Sequence, residues 1–185
     1  MPADLTIFAA NYLVFIEAII ALGAVSFVLY RQPPLEILRW LMAAGITGVM
    51  AEVFTQIGGA LYTDPRPFAV GHYDPLIAHV ADNGFPSDHA LLAAFLVACV
   101  VLVRFWLSLP IVAVLGVLVD WARVGAGIHH PIDVIGSAVF VAAGAVIAVA
   151  VIPFILERIA PHLPNALSRP EPLSSWRRSS TSSRP

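Results

Sequence analysis

Two arginines, two histidines, a serine and an aspartate in this 185-residue sequence have the types and spacing to handle a phosphoryl group without a metal. They fall in three short motifs. Asp64-Pro65-Arg66-Pro67-Phe68 comes first and Phe85-Pro86-Ser87-Asp88-His89 second. The third runs from Ala122-Arg123 to His129-His130-Pro131-Ile132-Asp133. Arg66 and Arg123 are permanently charged forks whose N–H donors match phosphate oxygens. Ser87 opens an apolar run, where a helix N-terminus offers free N–H groups and a dipole that favour an anion. His129 and Asp133 stand four apart, so a helix begun by Ile128 puts both on one face. The carboxylate can then hold one ring nitrogen as N–H and leave the other as a nucleophile. His89 is left as a general acid for the leaving group. Each residue alone has a plainer reading, since arginines beside membranes anchor to headgroups and interfacial histidines cap helices. The argument for chemistry is their clustering. His130 reads as a neighbour of the site; His72 and His79 could touch substrate, although loop surface is the preferred reading.

The elements that must carry these motifs are membrane helices. Apolar residues make up 59% of the chain and charged residues 12%, and the mean hydropathy is +0.85. Soluble domains sit nearer about half apolar and a quarter charged, so lipid is the solvent here. The expected fold is all-α, a polytopic transmembrane bundle of about five or six spans. Apolar runs predict spans over 5–30, 35–62, 87–107, 111–124 and 131–158, with an ordered loop over 63–86 and a short turn at 108–110. Pro131 suits the first position of the last helix. Residues 1–160 form the membrane domain, and 161–185, rich in Pro, Ser and Arg, are expected to be a disordered cytoplasmic tail.

Charge gives the bundle a direction. There is no Lys, and five of the ten arginines lie in the last 28 residues. Arg31, Arg39, Arg104 and the tail arginines fall on one side by the positive-inside rule, which turns the 63–86 loop and the 125–130 turn outward. Arg66 and Arg123 oppose that bias and need another reason to be there. Lone Cys99 excludes an intrachain disulfide and a thiolate metal cluster. A net charge of −2 gives no hint of nucleic-acid binding. The start lacks a basic leader, so no cleavable signal peptide is expected. Glu17, Glu52 and Asp120 lie within spans, where ionisable groups are costly, and remain unassigned.

The motifs resemble the type 2 phosphatidic acid phosphatase superfamily, which includes vanadium haloperoxidases, over roughly residues 35–155. The family pattern is K-x6-RP, then PSGH, then SR-x5-H-x3-D. Arg66-Pro67 matches the end of the first, Pro86-Ser87-Asp88-His89 the second, and Arg123, His129 and Asp133 the third. Gly59 stands at the Lys position, Asp88 at the glycine and Ala122 at the serine. With HVADNGFPSDHA, these departures are similar to the bacterial undecaprenyl-diphosphatase subgroup associated with bacitracin resistance.

The resemblance implies an acid phosphatase/haloperoxidase-like core, no cofactor or metal, and a multi-pass enzyme of the bacterial plasma membrane with an extracytoplasmic site. His129 would attack the terminal phosphorus, Asp133 would orient it, and His89 would protonate the departing group and then activate water. Arg66, Arg123 and Ser87 would hold phosphoryl oxygens, with Pro86, Asp88 and His130 in supporting positions. The implied partners are a polyprenyl or other lipid phosphate and the membrane. A broader lipid phosphatase and a non-catalytic lipid-phosphate binder or transporter remain open. Nothing in the sequence offsets the charge of Asp88 beside a phosphate.

Overall fold

Prolines mark most of the helix starts. Pro34, Pro67, Pro110 and Pro131 all lie in first turns, where no N–H is needed and the fixed φ suits a helix. The computed structural model describes residues 2–159, which form α1 (Ala3–Leu29), α2 (Pro34–Leu61), α3 (Pro67–Gly71), α4 (Asp88–Leu102), α5 (Leu109–Gly125) and α6 (Pro131–Ile159). The all-α class stands. Of the five long helices, α1, α2 and α6 are each long and apolar enough to cross a membrane. The shorter α4 packs among α1, α2, α5 and α6, and α5 packs on α1 and α4. The expected tail, 161–185, lies outside the described residues.

Two boundaries differ from expectation. The third span, expected to reach 107, stops at Leu102, because Arg104 takes a left-handed φ of 59°. The expected turn at 108–110 instead begins α5, with Pro110 inside its first turn. Within the 63–86 loop, Pro67 starts the one-turn α3, which His72 closes at φ 52°.

The interior is built from small residues and the outside from large ones. Ala21, Ala44, Cys99, Val100 and Val112 form one buried cluster, and Ala9, Ala10, Ala122, Ala126 and Ile128 form another nearer the site. Phe15, Ile19, Val146 and Phe154 are exposed on the outer surfaces. That inversion is what lipid as solvent allows, since small residues let helix backbones approach while bulky apolar ones face the acyl chains.

The backbones of α2 and α6 come close at Gly144. A Cβ added at Gly144 would lie 2.7 Å from the Thr47 carbonyl oxygen, a backbone atom that cannot step aside. Gly144→Val is therefore expected to destabilise the bundle by about 1–3 kcal/mol. Gly45→Ala, at a position with nothing within 4 Å, is expected to be neutral or slightly stabilising. Thermal unfolding of both variants in one detergent checks the contrast.

Candidate active site

The three motifs meet where α2 ends, α4 begins and α5 turns into α6. His129 precedes α6 and is 3% exposed; Asp133, in the first turn of α6, is wholly buried. Their ring-to-carboxylate contact, His129 Nδ1 to Asp133 Oδ2, is 3.2 Å, and the same nitrogen lies 3.1 Å from the Gly84 carbonyl oxygen. Two acceptors facing Nδ1 require it to carry the proton, which leaves Nε2 with a free lone pair.

Both arginines point at that lone pair. Arg66 Nη1 donates to His129 Nε2 at 3.1 Å and to the Ile128 carbonyl at 3.0 Å. Arg123 Nη2 donates to the same Nε2 at 3.5 Å, and its Nη1 to the Ala10 carbonyl at 3.4 Å. Both guanidiniums are buried. Burial, reinforced by Arg123 and Arg66, lowers the His129 pKa from its ordinary value of 6.5, against a smaller opposing pull from Asp133. The ring is thereby kept neutral, as a nitrogen nucleophile must be.

Arg66 is aimed by a third bond, from its Nε to Asp82 Oδ1 at 2.7 Å. That hydrogen bond holds the largely exposed Asp82 carboxyl below the usual carboxylate range. A cavity of about 730 Å³ opens over the cluster, walled by Arg66, Arg123, His129, His89, Asp88 and Pro86. Backbone and amide groups fix its rim. Asn83 Nδ2 donates to the Gly59 and Tyr62 carbonyls at the end of α2, and Asn83 Oδ1 accepts from Asp64 N and Phe85 N. Phe85 is seated edge-on to Tyr62 and Phe140.

Arg66, Arg123, His129 and Asp133 are thus brought together as the spacing predicts, with His89 in the same cavity wall. Ser87 is not in that wall. It is fully buried, its Oγ accepts from Ala90 N as the N-cap of α4, and its carbonyl accepts from Ser137 Oγ. His130 also turns away from the cavity, with Nδ1 2.8 Å from Asp64 Oδ2. His79, read as loop surface, lines the cavity with its ring centroid 6.3 Å from that of His129. Burial, followed by Arg66, lowers its pKa. His72 is exposed.

Asp64 opens the first motif but, like Asp82, Asn83 and Gly84, carries no assigned role in the sequence, although Asn83-Gly84 is a recognisable turn pair directly ahead of the second motif. Among the ionisable groups in spans, Glu52 bonds Gln56 within α2. Glu17 is fully buried against Gly116 without a hydrogen-bond partner among the described residues, and Asp120 lines a separate apolar groove. Asp64, His130 and Asp133 place ligand atoms within 4.8 Å of one another, close enough to hold a metal ion. Each of the three already has a protein partner.

Geometrically, the site can accept an anion between two guanidiniums in line with a neutral imidazole nitrogen. Comparison with known proteins agrees in kind. The family model described as the PAP2 superfamily matches residues 38–160. The chain is 32% identical over 131 residues to "Undecaprenyl-diphosphatase BcrC" of Bacillus subtilis (strain 168), covering 70% of this chain and 67% of that protein. It is 33% identical over 135 residues to "Bacitracin transport permease protein BcrC" of Bacillus licheniformis, covering 71% and 62%. The chain therefore spans about two thirds of the length of these relatives. No solved structure matches it.

Proposed function

This chain belongs to the PAP2 superfamily, and on that footing we propose that it hydrolyses undecaprenyl diphosphate to undecaprenyl phosphate and inorganic phosphate. The observation that carries this reading is the convergence of Arg66 and Arg123 on His129 Nε2, while Asp133 and the Gly84 carbonyl hold Nδ1. The name of the Bacillus subtilis relative supports the choice of lipid.

In the proposed reaction, His129 Nε2 attacks the terminal phosphorus, and the bond from phosphorus to the bridging oxygen breaks. His89 gives its proton to that oxygen as the lipid monophosphate departs. Asp133 stabilises the positive charge that the ring gains on forming the N–P bond. Neutral His89 then takes a proton from water, whose oxygen attacks the phosphohistidine. The N–P bond breaks, phosphate leaves, and His129 returns neutral. Arg66 and Arg123 hold the equatorial phosphoryl oxygens throughout, where charge is spread in the transition state. Ser87 contributes by capping α4 and so aiming the N-terminus of that helix. The arginine distribution supports an extracytoplasmic site, which suits recovery of a carrier lipid after cell-wall precursors are delivered.

The test is phosphate release by the pure full-length protein, in detergent with EDTA, from a polyprenyl diphosphate, phosphatidic acid and phosphatidylglycerol phosphate. The highest kcat/KM on the polyprenyl diphosphate is expected. Release from the other lipids alone would replace this reading with a broader lipid phosphatase. No release from any would favour a non-catalytic carrier, the reading to which the name of the Bacillus licheniformis relative points.

The depressed pKa of His129 fixes the sign of the pH dependence. A lowered imidazole pKa keeps the nucleophile neutral below its ordinary value of 6.5. Through its nucleophile, kcat/KM is therefore expected to hold as pH falls past 6.5 and to decline only in more acid solution. An acid limb centred above 6.5 would contradict a buried neutral His129.

A further inference from the structure

Asp64 belongs to the first motif, yet it neither lines the cavity nor touches the arginine that follows it by two residues. Its contacts run the other way, toward His129, along two routes. Its side chain, through Oδ2, meets His130 Nδ1 at 2.8 Å; the backbone N–H of His130 donates to Asp133 Oδ2 at 2.8 Å; and Asp133 Oδ2 holds His129 Nδ1. Its backbone carbonyl accepts from Gly84 N at 2.8 Å, and the Gly84 carbonyl is the second acceptor of His129 Nδ1. The two acceptors that fix the proton on Nδ1 are thus both anchored to one residue in the loop just past α2. There is no slack in this arrangement. A Cβ added at Gly84 would lie 3.1 Å from Asp133 Oδ2 and 3.1 Å from the Asp64 carbonyl oxygen.

We propose that Asp64 is a positioning residue for the nucleophile, acting through the side chain and backbone of His130 and through Gly84 to hold His129 in the Nδ1–H form aimed at phosphorus. The inference rests on the phosphatase reading for its kinetic consequences, but not for its structural one. His130 acquires a defined part, that of the link between Asp64 and the start of α6. The half-exposed His130 and the mostly buried Asp64 carboxylate are held by each other, so removal of either frees the same strut.

Asp64→Ala is expected to lower kcat about 10–100-fold, by analogy with the loss of outer partners of metal-bound histidines, with KM within about twofold of the parent. Asp64→Asn, whose amide oxygen can still accept from His130, is expected to recover most of that loss. His130→Ala should resemble Asp64→Ala, and the double variant should be no worse than the worse single one, as for members of one chain. In ¹⁵N-histidine spectra of the full chain in nanodiscs, His129 should show a single Nδ1–H tautomer in the parent and a mixture in Asp64→Ala.

The proposal is overturned by wild-type kcat and an unchanged His129 spectrum in Asp64→Ala, or by a loss confined to KM. It is equally overturned by additive losses in the double variant. Should Asp64→Ala fail to fold, Asp64→Asn and His130→Ala decide by the same criteria. A parent protein that releases no phosphate defeats the phosphatase reading alone, because the ring spectrum still tests the positioning.

Discussion

Replacing His129 with alanine is expected to lower phosphate release at least about 10⁴-fold, to the limit set by the remaining binding groups. The magnitude follows from what the residue supplies. Its Nε2 is the nitrogen on which both buried guanidiniums converge, and its Nδ1 is held by a buried carboxylate and a carbonyl. Alanine removes the atom proposed to form the covalent bond to phosphorus, and no neighbour among the described residues is placed to take over. His79 lines the same cavity, but its ring centroid lies 6.3 Å away and neither arginine bonds it. Binding should survive, because Arg66, Arg123 and the α4 N-terminus remain. The expected variant therefore still takes up lipid diphosphate while kcat collapses. Phosphate release from the purified variant, beside a lipid-binding measurement, checks both halves. Turnover within tenfold of the parent would remove His129 from the reaction.

Arg66→Ala is expected to cost about 10²–10³ in kcat, the usual loss when one preorganised donor to a developing charge is removed. Three bonds define this guanidinium: Nε to Asp82, and Nη1 to both the Ile128 carbonyl and His129 Nε2. The first two hold the group in place; the third marks where a phosphoryl oxygen would displace the ring nitrogen as partner. Arg66→Lys should restore little, since an ammonium on a flexible stem cannot make the fork-shaped set. Because the interaction strengthens as charge develops, kcat and kcat/KM should fall together. Steady-state kinetics of Arg66→Ala and Arg66→Lys read this directly. A change in KM alone would make Arg66 a ground-state binding group.

The parts of the site legible in the sequence are those with local signatures. The four-residue spacing of His129 and Asp133 survives because it is helical geometry at the start of α6, and Pro131 marks that start. Ser87 was correctly placed at a helix N-terminus, but whether its hydroxyl serves the helix or a ligand depends on which way it faces. In the fold it faces Ala90 N. Asp64, Asn83 and Gly84 were opaque because their partners are remote in sequence. Asp64 bonds across 66 residues to His130, and Gly84 across 45 to His129. The end of α4 was misjudged because apolar residues continue past Leu102, while the left-handed Arg104 that ends the helix has no glycine to announce it. Glu17 shows the same limit inside the bundle, since its burial against Gly116 is a fact of how α1 meets α5.

The bond from Arg66 to the Ile128 carbonyl spans 62 residues, and it carries a consequence for biosynthesis. A membrane chain is handed to the bilayer from its N-terminus, segment by segment. When the first motif has emerged, the residues it must grip are still unmade, and α6, which carries Asp133, is the last described helix to arrive. Until residues 128 and 129 are made, the Arg66 guanidinium lacks the Ile128 carbonyl and the His129 ring that it bonds in the fold. On the proposed mechanism, a chain stopped before Asp133 lacks the carboxylate that orients the nucleophile, so turnover is expected only once the start of α6 has been made.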